Sequence, residues 1–305
     1  MLWIIAAAGL FVAEAFGGLL YLALPEMDVQ TGSLVYNLFY YLLFLAIPVI
    51  LLLRRPGLFE SCRPNPISLF STIAIVALAL VGVIFVSDVS ALWSIPLQEL
   101  GFKTASANFS VPTTHSALLV SLFYVAVLPA VCEEFLFRGV VLSALERGGT
   151  RRAILQTAAL FAVLHGWLVG LPAHFLLGVI IATLVVCTDS IYAGLIYHTT
   201  HNAASVLIQY AINRSSLRET ASESSRLIDT IGGLSGVMQL AVEVLLTGAV
   251  MWFILRRFIA RARFRGIEFM PPHRERPDRK EWALLIFGLI LAALLYAADI
   301  YSMLR

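Results

Sequence analysis

Charged residues are scarce in this sequence of 305 residues. They make up 13% of the chain, whereas a soluble domain usually carries about a quarter. Hydrophobic residues make up 60%, and the mean hydropathy is +0.88. The composition argues against a large soluble domain and predicts a polytopic membrane protein. The net charge of only +2 gives no indication of a broad basic surface for nucleic acid, and we expect no nucleic-acid partner.

Cysteine is also rare, and a basic N-terminus is missing. Cys62, Cys132 and Cys187 form no CxxC pair, and their spacing suggests neither a disulfide framework nor a thiolate metal site. The first 24 residues are apolar with no basic residue ahead of them, unlike a cleaved signal peptide. We therefore predict a retained first membrane span, in which Glu14 has a partly satisfied structural role.

Long apolar runs fill most of the chain, and runs of about 17 to 25 residues can cross a bilayer as helices. Nine candidate spans occur, at about 3–24, 33–53, 68–88, 115–145, 153–170, 173–188, 190–211, 236–256 and 281–303. The run at 173–188 is short and follows a break at Gly170 and Pro172, so a re-entrant piece with eight full spans is the alternative. The sequence predicts an all-α transmembrane helical bundle of eight or nine spans.

Basic residues are concentrated in three of the connecting loops, at 54–63, 147–152 and 256–265. If nine spans alternate, these loops fall on one side of the membrane, and the positive-inside rule makes that side cytoplasmic. We therefore expect a cytoplasmic N-terminus, with the loops at 25–32, 89–114 and 212–235 on the outer side.

Several polar residues lie inside the apolar runs, where a charge costs at least about 2.5 kcal/mol and usually marks a site. They are Glu133, Glu134, Arg138, His165, His198, His201 and Asn202. Glu133, His165 and Asn202 are each about 12 residues from the cytoplasmic end of their predicted helices, so three helices bring polar groups to a similar depth.

Helical spacing relates these residues to one another. Glu134 and Arg138 are four apart, so they share a face and can pair, while Glu133 is turned about 100° away. His198 and Asn202 are also four apart. A carboxylate and an imidazole can activate a water, and an imidazole with an amide can stabilise an oxyanion. This inventory favours peptide hydrolysis within the membrane.

Three motifs in order resemble the CAAX protease and bacteriocin-processing family, the Rce1-like or abortive-infection family of intramembrane proteases. "EEFLFR" is similar to EExxxR, "FAVLH" to FxxxH and "HTTHN" to HxxxN. The resemblance covers about 115–210, and it divides the chain into N-terminal helices (1–114), a catalytic core of about four helices (115–211) and C-terminal helices (212–305).

The resemblance implies a role for each motif residue. Glu133 and His165 would activate the catalytic water, His198 and Asn202 would form the oxyanion hole, and Glu134 and Arg138 would orient the site. The implied enzyme is a glutamate-type peptidase without a cofactor. Zinc is the alternative, because these glutamates and histidines could bind it, although no HExxH occurs. We interpret His201 as a structural or supporting residue, and His115, His174 and His273 as structural.

Several alternatives stay open from the sequence. The adjacent glutamates could be a solvated helix end if the fourth span stops near Ala130. Intramembrane Glu and His also serve transporters, although no internal repeat is present, and a non-catalytic scaffold or immunity protein is a third reading. For the peptidase we expect a polypeptide substrate and contact with lipids in a bacterial inner membrane. Prenylated proteins, small membrane peptides and bacteriocin precursors are all candidate substrates.

Overall fold

The computed structural model describes residues 57–104, 112–214 and 227–267, with isolated positions between 32 and 54 and between 269 and 304. The candidate spans at 3–24, 33–53 and 281–303 lie wholly or largely outside the described residues. Glu14 and His273 also lie outside them.

Helices account for all regular structure in the described ranges, and no strand occurs there. In chain order the helices are α1 (Leu58–Ser61), α2 (Leu69–Glu99), α3 (His115–Leu145), α4 (Thr150–Leu164), α5 (Leu171–Thr188), α6 (Ile191–Arg214), α7 (Leu227–Thr230) and α8 (Leu234–Phe264). The predicted all-α class is therefore confirmed for this part of the chain.

Four of these helices, α2, α3, α5 and α8, are long and apolar enough to cross a membrane by length and composition. The chain is thus an integral membrane protein. The short run for which a re-entrant piece was the alternative forms one continuous helix of 18 residues, α5. The total of eight or nine spans is not confirmed, because only these four helices among the described residues meet the length and hydropathy of a span.

Two helix ends differ from the prediction. Helix α2 continues to Glu99, so the first part of the predicted outer loop at 89–114 is helical. Apolar residues such as Leu92 and Trp93 extend the helix, and Pro96 lies so near its end that few backbone hydrogen bonds are lost. Helix α4 ends at Leu164 rather than 170, because Gly166 takes a left-handed φ of +60° that stops the helix.

The short α4 matters for the site. Its 15 residues extend about 22 Å, less than the roughly 30 Å of a hydrocarbon core. It packs closely against α5, since a Cβ at Gly178 would lie 2.9 Å from the Cα of Ala158. The turn that joins α4 to α5 therefore follows directly after His165.

Polar contacts fix the opposite end of this helix pair. Arg63, just before α2, bonds to Glu146 after α3, and its Nε lies 3.1 Å from Oδ1 of Asp189 after α5. Asn65 donates to the Asp189 carbonyl at 2.8 Å. These contacts hold the basic segment before α2 and the turn before α4 at one end of the bundle, as alternating spans require.

Candidate active site

The centre of the candidate site is a buried cluster of three charged or titratable side chains. Oε1 of Glu134 accepts from Nη1 of Arg138 at 2.8 Å, and it lies 2.8 Å from Nδ1 of His198. Glu134 and Arg138 have no exposed surface, and His198 is 3% exposed. The pairing of Glu134 with Arg138 that the four-residue spacing predicts is therefore confirmed.

The local form of α3 positions the two glutamates. They end an α-helical segment, Leu128–Glu134, which is flanked by π-helical segments at Leu122–Val127 and Phe135–Leu142. Single π turns inside helices are frequent at functional sites. Helix α3 continues to Leu145 with both glutamates buried, so the alternative of a solvated helix end near Ala130 is wrong.

Phe161 on α4 supports the buried cation. Its ring centroid lies 4.6 Å from Cζ of Arg138, which is the distance range of a cation–π contact. The same ring meets Phe137 edge-on at 5.3 Å and His198 at 5.9 Å. Nη2 of Arg138 also reaches the Gly178 carbonyl at 3.4 Å. Helices α3, α4, α5 and α6 thus all contribute to holding the Glu134–Arg138 pair.

His165 lies at the end of α4, beside the buried cluster. Its Nδ1 is 2.6 Å from the Phe161 carbonyl, and its ring centroid is 4.6 Å from that of Phe161. A carbonyl only accepts, so Nδ1 carries the proton, and the neutral imidazole presents an unprotonated Nε2. In contrast to Glu134, His165 is exposed. An exposed imidazole with a fixed tautomer and an unprotonated Nε2 can accept a hydrogen bond from a water.

Glu133 borders the same region with one carboxylate oxygen free. Oε1 accepts from the Tyr41 hydroxyl at 3.3 Å, while the buried Oε2 has no partner among the residues the structure describes. The side chain is 7% exposed, and its charge acts electrostatically on His165. A buried carboxylate oxygen with open hydrogen-bonding capacity can bind a water.

The two predicted oxyanion-hole residues have different surroundings on α6. A neutral His198 that donates from Nδ1 to Glu134 leaves Nε2 as an acceptor, so it can stabilise an oxyanion only as the imidazolium. Asn202 does not touch the buried cluster directly. Its Nδ2 donates to the Val125 carbonyl in the first π segment at 3.0 Å, which leaves its second N–H available.

A glycine on α6 makes the close approach of α6 to α3 possible. A Cβ at Gly194 would lie 2.5 Å from Oε2 of Glu134, closer than any real side chain allows. A larger residue at this position would push against the Glu134 carboxylate, so glycine favours the close approach that brings His198 to Glu134. Gly194 lies four residues before His198, the first residue of the third motif, so this contact gives the glycine a steric role.

Sequence reasoning missed one histidine at the site. His174 on α5, which we expected to be a structural residue near the outer surface, stacks on His165 with ring centroids 4.0 Å apart and planes at 22°. Its position follows from the early end of α4, which folds α5 back against His165. The usable signal was the Gly170–Pro172 break between the two histidines.

His201 occupies a separate position, packed against Tyr197. It is 6% exposed, and its ring lies nearly parallel to that of Tyr197, with centroids 6.1 Å apart. Its imidazole also bonds to the backbone of Ala79 on α2, so His201 packs between α6 and α2. No group of three or more His, Cys, Asp or Glu side chains is arranged to hold a metal ion within the described part of the chain.

A comparison with known families matches the helices that carry this site. Residues 115–204 match the family described as type II CAAX prenyl endopeptidase Rce1-like. The chain thus carries an Rce1-like domain that contains all three motifs, and the resemblance predicted from them is confirmed. The match supports a CAAX-type protease. No curated protein and no solved structure gives a significant match to the chain.

Proposed function

We propose that this chain is an intramembrane endopeptidase of glutamate type, acting on a membrane-associated or lipidated polypeptide. The observation that carries the proposal is the buried contact of Glu134 with both Arg138 and His198 at 2.8 Å. Burying charges is costly unless they are paired and hydrogen-bonded, so such a cluster inside an apolar bundle favours a site over a packing feature. The Rce1-like match of the same helices supports the reaction class.

Glu133 and His165 are the proposed pair that activates water. The water oxygen bonds to the carbonyl carbon of the scissile peptide while one of its protons passes to the Glu133 carboxylate. Nε2 of His165 accepts a hydrogen bond from the second O–H of the water. This contact orients the lone pair of the water oxygen. When the C–N bond breaks, the proton held by Glu133 passes to the leaving amine, which restores the carboxylate.

His198 and Asn202 are the proposed donors to the oxyanion that forms on the carbonyl oxygen. His198 donates from Nε2 as an imidazolium, which the neighbouring Glu134 carboxylate stabilises. Arg138 and Phe161 hold that carboxylate in place. Donors fixed before the reaction can lower a barrier by several kcal/mol, typically about 3 per donor.

The setting of the enzyme is part of the proposal. We place the enzyme in a bacterial inner membrane with eight or nine spans. The basic loops favour a cytoplasmic N-terminus and a site reached from the cytoplasm or inner leaflet. The catalytic core occupies 115–211, between N-terminal helices at 1–114 and C-terminal helices at 212–305. A prenylated protein, a small membrane peptide and a bacteriocin precursor are the candidate substrate classes.

The test uses full-length protein in lipid nanodiscs with a peptide library, read by mass spectrometry. Glu133→Gln and His165→Ala are expected to abolish cleavage, whereas Glu60→Gln, which neutralises an exposed glutamate on α1, is expected to leave it unchanged. Equal cleavage by the wild type and Glu133→Gln would overturn the mechanism. Loss of cleavage with a chelator and its recovery with zinc would replace the glutamate-type reaction with a metal-dependent one.

A further inference from the structure

A cavity of about 580 Å³ lies between α4, α5 and α8, away from the candidate active site. It opens where α4 begins and α8 ends. Three arginines line it, Arg151 on α4 and Arg256 and Arg263 on α8. The last two are seven residues apart, so they share one face of the helix.

Among the described residues, none of these three arginines has a carboxylate partner and no acidic side chain lines the cavity. Arg151 lies in the first turn of α4, which contains no acidic residue and has Gly149 as an uncapped start. Positive charge is unfavourable at the positive end of a helix dipole, so this arrangement is suited to an anion.

The other face of α8 provides a contrast. Arg257 lies 4.6 Å from the Phe253 ring centroid and Arg261 lies 5.6 Å from that of Phe70, around a smaller cavity of about 290 Å³. Both cations on that face are engaged by aromatic rings. The arginines of the larger cavity have no such ring contact in the described ranges.

Apart from Thr183, the remaining described walls of the larger cavity are apolar, and two of their side chains are exposed. Leu155 is 52% exposed and Trp252 is 61% exposed, and Ile259 lines the wall beside them. Trp is favoured at the level of lipid headgroups, where an apolar ring and a polar N–H are both satisfied. The cavity thus joins a cationic end to an apolar groove along the helices.

We infer that this cavity binds an anionic phospholipid. Arginines pair with phosphate oxygens through parallel N–H bonds, and basic pockets between membrane helices bind acidic headgroups. The phosphodiester would lie among Arg151, Arg256 and Arg263, and an acyl chain would follow Leu155 and Trp252. The site is independent of the proposed peptidase residues.

Trp252 provides a local probe for the occupant. Full-length protein is placed in phosphatidylcholine nanodiscs that contain increasing fractions of brominated phosphatidylglycerol or of brominated phosphatidylcholine. Subtracting the fluorescence of the Trp252→Phe variant from that of the wild type leaves the contribution of Trp252 alone. We expect brominated phosphatidylglycerol to quench Trp252 at a much lower lipid fraction than brominated phosphatidylcholine.

The matched variants remove two charges from either face of α8. Arg256→Gln with Arg263→Gln should raise the half-quenching fraction about thirtyfold, since each arginine contributes about 1 kcal/mol near an anionic headgroup. Arg257→Gln with Arg261→Gln should leave it unchanged. A circular dichroism melt of each variant checks that it is folded. Arg151→Gln alone removes one charge and should give a smaller shift of the half-quenching fraction.

Three outcomes would overturn the inference. Equal quenching by the two brominated lipids would mean that the groove holds bulk lipid. Equal shifts in the two double variants would mean a general attraction to the membrane surface. Release of quenching by inorganic phosphate in the buffer would identify a soluble anion as the occupant.

Discussion

Nδ1 of His198 lies 2.8 Å from Oε1 of Glu134, across the interface of α6 with α3. The same carboxylate oxygen accepts from Arg138 at 2.8 Å. Glu134 therefore links the buried cation to the imidazole that is proposed to stabilise the oxyanion. A change at Glu134 should affect folding and reaction through different partners, and the two effects can be separated.

Replacing Glu134 by Gln should destabilise the protein by about 3–5 kcal/mol, because it leaves the fully buried Arg138 without a counter-charge. The double variant Glu134→Gln with Arg138→Met removes both charges and should recover most of that stability. Neither variant should cleave peptide, because His198 loses its carboxylate partner. Denaturation in detergent and the library assay measure the two effects. A double variant no more stable than the single one would contradict this account of the pair.

Replacing Gly194 by Ala tests the close approach of α6 to the site. The added Cβ would lie 2.5 Å from Oε2 of Glu134, so the Glu134 side chain or one of the two helices must shift, and overpacking of this kind costs about 1–3 kcal/mol. We expect lower thermal stability together with a large loss of cleavage. Gly148→Ala is the control, since a Cβ there meets no atom within 4 Å. Wild-type activity in Gly194→Ala would show that the approach is not required.

Local spacing in the sequence was enough to predict the Glu134–Arg138 pair, and the FxxxH motif sets the ring of Phe161 one turn from His165. Both depend on contacts within one helix, which residue numbers fix directly. The stacking of His174 on His165 could not be predicted, because it depends on α4 ending at Leu164 and on how tightly α5 folds back. The contact of Tyr41 with Glu133 depends on the packing of a distant segment, which no local pattern encodes.

For the fold as well, the long helices could be predicted from the sequence, whereas the points where helices end could not. Hydropathy located the helices that became α2, α3, α5 and α8, since length and apolar composition decide whether a helix can span. Helix ends were less certain, because they depend on single residues such as Gly166, whose backbone angle follows from the turn it must make. Those ends decide which side chains meet, so the site is less predictable from sequence than the spans.

Burial raises the pKa of the Cys62 thiol to about 11, in the segment between α1 and α2. Because the raised pKa favours the neutral thiol, the reactive thiolate is scarce at pH 7 to 8 and increases as the pH rises toward about 11. Alkylation of Cys62 should therefore be slow at neutral pH and accelerate with pH. The variant with Cys132→Ala and Cys187→Ala isolates the signal for mass spectrometry. Rapid labelling at pH 7 would show that the segment opens to solvent.

The stacked rings of His165 and His174 predict that His174 positions His165, which is proposed to orient the attacking water. Stacked aromatic pairs contribute about 0.5–1.5 kcal/mol beyond their buried area, so His174→Ala should lower kcat about threefold to tenfold with little change in KM. His174→Phe keeps a flat ring on His165 and should retain most of the activity, although it cannot exchange a proton. If instead His174→Phe were as slow as His174→Ala, the imidazole nitrogens of His174 would take part in proton transfer rather than in stacking. Comparing the pH profiles of the two variants then separates these roles, because only the loss of a titrating group changes the shape of the profile.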